Sequence, residues 1–239
     1  MEPGECSGYT ACMATSRPFV LPALMLLAIV AALSGTGCDA DCSFTDDVVE
    51  GRATNPEGVP YPAGPYGATP REGTVPGDVF PNFGFRGYQD SSTGGGLQTI
   101  SLADFHDPDT RRYRVIHLSA VAMWCPHCAR ETDQLAQAAP ALRDEGAALL
   151  QLIIDGPSQG EAPDRCDLDD WIEEHDTSFT VVLDGAARRL GTVATISGVP
   201  YNAIIDARTM EVLDAGTGVP DDIASVIRTW LRLLDDGQR

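Results

Sequence analysis

The chain has 239 residues, 43% hydrophobic and 21% charged, a globular rather than disordered balance with enough apolar material for a sizeable core. Sixteen basic residues against 35 acidic ones give a net charge of −19, and every basic residue is Arg. So acidic a surface repels a phosphate backbone, which argues against nucleic acid as a partner, and the lack of Lys excludes a lysine Schiff base or a P-loop.

The stretch Phe19–Leu33 is apolar throughout, preceded by Arg17 and followed by Ser34-Gly35-Thr36-Gly37-Cys38. A basic residue, a short apolar run and then small residues is the layout of a secretory signal, and the run is shorter than the ~20 residues of a membrane span. Glu2 and Glu5 suit a basic n-region poorly, and a start at Met13 would give an ordinary signal. Cys38 after Gly37 resembles a bacterial lipoprotein box, although Gly35 stands where an aliphatic residue is usual. The expectation is a signal over residues 1–37 and lipidation of Cys38, with plain secretion as the alternative. The mature protein would then lie outside the cytoplasm, in a bacterial periplasm, held to a membrane through that lipid.

Residues 38–75 are rich in Pro and Gly and lack apolar periodicity, which predicts a spacer; the other reading is that the Tyr-Pro segment wraps the domain edge. From Pro76 to the C-terminus at residue 239, strand and helix signals alternate. Arg114–Val121, Ala147–Ile154, Phe179–Leu183, Asn202–Asp206 and Met210–Ala215 read as strands, and Pro126–Ala139, Asp167–His175 and Asp221–Leu234 as helices. Pro140 should kink or end the first helix. The alternation predicts a three-layer α/β domain over 76–239.

Trp124-Cys125-Pro126-His127-Cys128 carries the chemistry. It follows a buried strand and opens a helix, so Cys125 would meet unpaired N–H groups and the positive end of the helix dipole, both favouring thiolate. Pro126 fits the first helical position, where a missing N–H costs nothing. His127, when protonated, would add positive charge beside the sulfur. Cys128, one turn on, could attack a mixed disulfide and resolve it. A zinc site would need two further ligands that no second Cys pair or paired His supplies, and haem attachment wants His where Ala129 stands. No cofactor or metal is called for. The remaining reading of the pair is an inert structural disulfide.

At these residues the sequence resembles the thioredoxin superfamily, and within it the extracytoplasmic TlpA-like and AhpC/TSA-like redoxins. The resemblance spans Pro76–Leu234 and includes Pro76-Gly77-Asp78-Val79-Phe80-Pro81-Asn82-Phe83, Ser101-Leu102-Ala103-Asp104-Phe105 and Ser197-Gly198-Val199-Pro200. It implies a thioredoxin-like fold, a central mixed sheet flanked by helices, with Pro200 cis and facing Cys125. It also implies an acidic residue, Glu131, that tunes the thiols, and a substrate strand held by Val199 and Pro200 beside Trp124. Independently, an X-Pro bond is where a cis peptide costs little, and it exposes the preceding backbone for strand pairing.

The chain departs from the pattern at Ser119, where thioredoxins keep a buried acid, so Glu131 or water would have to take the proton of the resolving thiol. It departs again at Tyr201, where a small hydroxyl residue is usual. Pro126-His127 matches the dipeptide of the strong oxidant DsbA while the rest resembles reductases, which leaves the direction open. Ala122 and Leu118 stand where peroxiredoxins place the residues that bind peroxide, so that pocket chemistry is missing and a thiol peroxidase is no more than the runner-up. A redox-inert thioredoxin-like binding lipoprotein is the alternative of a different class. The implied activity is thiol–disulfide exchange on extracytoplasmic protein thiols, with a redox partner protein. Cys42 and Cys166 could pair, or Cys166 could be a third redox thiol. His106, His117 and His175 read as surface or strand residues rather than ligands.

Overall fold

The computed structural model describes residues 42–43, 49–62 and 73–237. The expected signal and Cys38 lie outside the described residues. Among the described residues, eight strands form one mixed sheet: β1 (Val49–Glu50), β2 (Phe83–Tyr88), β3 (Gln98–Ser101), β4 (Val115–Ala122), β5 (Ala147–Asp155), β6 (Thr180–Leu183), β7 (Tyr201–Asp206) and β8 (Val212–Thr217). Their order is β1-β2-β6-β5-β4-β7-β8, with β3 also on β2. The central β6, β5 and β4 are parallel, and the outer pairings are antiparallel.

The parallel strands are the long apolar runs, as expected where both faces are covered; all eight residues of β4 are buried. Alternation then sorts them. Val115 and Val121 of β4, Leu149 and Ile153 of β5 and Ile204 of β7 face one core, built with α1 (Pro126–Asp144), α2 (Arg165–His175) and α3 (Ile223–Asp235). Ile116, Leu118, Leu150 and Ile205 face a second core, closed by Tyr61, Phe80 and the turn Leu102–Phe105. That turn is a 3₁₀ segment fixed by a capping box between Ser101 and Asp104.

Two expectations are corrected. Pro140 does not end α1, which runs four residues beyond it to Asp144. The described part of the expected spacer is bound to the domain rather than standing off it. Val49 and Glu50 pair with β2, and Tyr61 is buried with its hydroxyl donating to Phe80 O at 2.6 Å. Asn55 donates to His106 O, and Cys42 forms a disulfide with Cys166 near the start of α2. The wrapping reading holds there because Tyr61 and the short strand β1 find apolar and hydrogen-bonding partners on the domain surface.

Candidate functional site

β4 delivers the chain to the site and α1 starts it. Cys125 is the N-cap of α1, with extended backbone (φ −93°, ψ 110°), and Pro126 is the first helical residue. The Cys128 backbone N–H donates to Cys125 Sγ at 3.2 Å, so the sulfur takes the place of the usual capping oxygen. Both thiols are free and buried, Cys125 at 4% exposure and Cys128 at 0%. Burial, together with the hydrogen bond to Cys125, pushes the Cys128 thiol well above the ordinary range, and the nearby Glu131 charge adds to it.

The other side of the site comes from the loop before β7. The Val199–Pro200 peptide is cis, and Cys125 Sγ–H donates to Val199 O at 3.8 Å. Trp124 is 38% exposed, and its indole N–H donates to Asp155 Oδ2 at 3.1 Å. Asp155, at the end of β5, also accepts from Gly160 N–H, which ties the next loop to the same carboxylate. The structure thus brings Trp124, Cys125, Pro126, Cys128, Val199 and Pro200 to one end of the sheet. His127 is exposed, and its Nδ1 accepts from the Arg130 guanidinium at 3.0 Å. The positive group in hydrogen-bond contact here is therefore Arg130, which the sequence reading did not include.

Beneath the thiols lies a polar row inside an otherwise apolar core. Glu131 is fully buried, and its Oε2 accepts from Asn202 Nδ2 at 3.0 Å. Burial pushes its carboxyl up to about 7, against the opposing pull of that amide. Asn202 Oδ1 meets His117 Nε2 at 2.8 Å, and burial holds the His117 imidazole down to about 4, hence neutral. Ser119 does not stand in for an acid; its hydroxyl accepts from Gln151, which also links Thr132 and Trp171.

Sequence reasoning missed His117 as a partner of the site, and missed Asn202 and Gln151 altogether. The available signal was a polar residue at an inward-facing position of a buried strand, which must find a partner. His106 and His175 lie elsewhere: His106 packs against Tyr61, and His175 bonds Asp133 on the outer face of α1.

The AhpC/TSA family model matches residues 76–212, more than half of the chain and all of the site. The chain belongs to the AhpC/TSA family. No curated protein sequence matches it. Among solved structures, this AhpC/TSA chain is similar to the thioredoxin domain of a thiol-disulfide oxidoreductase from Bacteroides vulgatus. Identity is 18% and the TM-score 0.50, covering 66% of this chain and 98% of that one. It is similar also to Mycobacterium tuberculosis AhpC, at 16% identity and TM-score 0.50, covering 68% and 94%. These likenesses establish a thioredoxin-like fold for this AhpC/TSA member. Among the described residues, no helix is long and apolar enough to cross a membrane.

Proposed function

We propose that the chain is a thiol–disulfide oxidoreductase acting on extracytoplasmic protein thiols or disulfides through Cys125 and Cys128. One observation carries the reading: Cys125 Sγ caps a helix, receives the Cys128 N–H, and faces the carbonyl that precedes a cis proline. In the reducing direction, Cys125 thiolate attacks a substrate disulfide and forms a mixed disulfide, releasing the first substrate thiolate. The Cys128 proton passes to the Glu131 carboxylate. Cys128 sulfur then attacks Cys125 sulfur, the Cys125–Cys128 bond forms, and the second substrate thiolate leaves with both electrons. The oxidising direction is the same path reversed. A redox partner protein restores the starting state of the pair. Val199 backbone and the pinned Trp124 ring offer the incoming strand a hydrogen-bonding edge and an apolar face.

The location belongs to the same proposal: export by a signal over residues 1–37 and a lipid on Cys38. Its support within the described residues is the Cys42–Cys166 disulfide, a crosslink that persists in oxidising compartments.

Insulin reduction and dithiothreitol oxidation test the reading. Cys125→Ser should fall to background in both assays, and Cys128→Ser should accumulate a covalent mixed disulfide with substrate. Turnover by Cys125→Ser, or peroxide consumption with no dithiol transfer, would overturn it, the latter in favour of a thiol peroxidase.

A further inference from the structure

Asn202 is where the buried row meets solvent. It lines a groove of about 310 Å³ between β8 and the start of α3, with Asp214, Gly218 and Pro220 among the walls. Its NH2 group donates to Glu131 Oε2 at 3.0 Å and to Gly218 O at 3.2 Å. Its carbonyl oxygen faces inward to His117 Nε2 at 2.8 Å. Oxygen and nitrogen of a side-chain amide are nearly the same size, so only such partners decide which one meets Glu131. Two acceptors on one end and one donor on the other decide it here. The neutral His117 has a single N–H, and the contact places it on Nε2. Loss of that donor leaves a buried amide oxygen unpaired and free to turn toward water in the groove.

We propose that His117 is a positioning residue: by donating Nε2–H to Asn202 Oδ1 it holds the Asn202 NH2 on Glu131, and so fixes the proton affinity of the group that takes the Cys128 proton. The inference rests on the reading of the Cys125–Cys128 pair given above. A donated hydrogen bond favours the carboxylate, while burial, with no partner for Glu131 Oε1 among the described residues, opposes it. Among the described residues, the other titratable groups about Glu131 are few. On its own helix stand Cys128 beside it and the exposed His127, Arg130 and Asp133, with Cys125 as N-cap; His117 faces it from β4 through Asn202. Asp214 lines the groove on β8, and Asp221 and Asp222 precede α3, where Asp221 O accepts from Gln134 of α1.

The experiment is the pH profile of the resolving step, followed as thiolate release from a preformed mixed disulfide on the full chain. Wild type should show an acid limb near the Glu131 titration. His117→Leu and His117→Asn, the latter polar but too short to reach, should each move that limb up by about one pH unit, so that the rate at pH 6 drops about tenfold. His117→Gln, which can place an amide N–H near Nε2, should restore the wild-type profile. In a Glu131→Gln background the limb should be absent, and His117→Asn should produce no further change.

Should His117→Leu fail to fold, the Asn and Gln variants carry the comparison, checked for matching thermal melts. A limb that stays in place in His117→Asn overturns the role of His117 while leaving the oxidoreductase reading intact. A wild type without dithiol turnover overturns that reading itself. A loss in His117→Asn that persists equally in the Glu131→Gln background would mean damaged packing, and would also overturn the inference.

Discussion

Burial disfavours the charged form of both Glu131 and His117, but the two respond to pH in opposite senses. An unfolded Glu131 loses its proton above its ordinary 4.5, whereas the buried one keeps it to about 7. The folded state therefore binds more protons in that window, and stability falls as pH rises from 4.5 to 7. An unfolded His117 gains a proton below 6.5, whereas the buried one refuses it until about 4. Its contribution is lost as pH falls from 6.5 toward 4. Between pH 4.5 and 6.5 the two slopes oppose, each at most about 1.4 kcal/mol per pH unit. Relative to wild type, Glu131→Gln should gain stability with rising pH there, and His117→Gln should lose it. Urea midpoints collected at half-unit pH steps read both slopes; the same sign for both variants would contradict the burial argument.

At the scale of elements, α1 carries the clearest conflict between local preference and tertiary demand. Pro140 is exposed inside the helix and cannot donate to Ala136 O, a defect that costs up to about 3 kcal/mol in a helix interior. The helix continues because Leu135, Ala139 and Leu142 bury on the sheet on both sides of the proline. Pro140→Ala should raise the unfolding free energy by about 1–3 kcal/mol in urea titration. A fall instead would mean that the proline sets the packing of Leu142.

This pattern governs what could be read from the chain alone. β4, β5 and the three helices announce themselves through long apolar runs or stripes, and the thiol pair and Pro200 through short, local motifs. β2 does not, because Gly84 and Gly87 dilute its strand signal. The fold demands Gly87, since a Cβ there would lie 2.3 Å from Val181 O on β6. The His117–Asn202 contact was also hidden: the two residues are 85 positions apart and meet only through the β4–β7 register, which sets Ser119 opposite Asn202.

On the scale of the whole molecule, the Cys42–Cys166 disulfide joins residues 124 positions apart. Closing so long a loop removes a large share of the freedom of the unfolded chain, which the chain-entropy model puts at about 4–5 kcal/mol, with measured losses from native disulfides of about 2–5. β1 pairs with β2 over two residues, and the Arg165 backbone N–H donates to Cys42 O at 3.3 Å. The paired variant Cys42→Ser/Cys166→Ser should therefore lower the unfolding free energy by about 2–4 kcal/mol in urea titration. Its thiol–disulfide turnover should match wild type, because Cys125 and Cys128 sit on α1 and Cys166 on α2. A matching loss of turnover at temperatures where the variant is folded would refute the purely structural role, and would make this disulfide a second station for electrons.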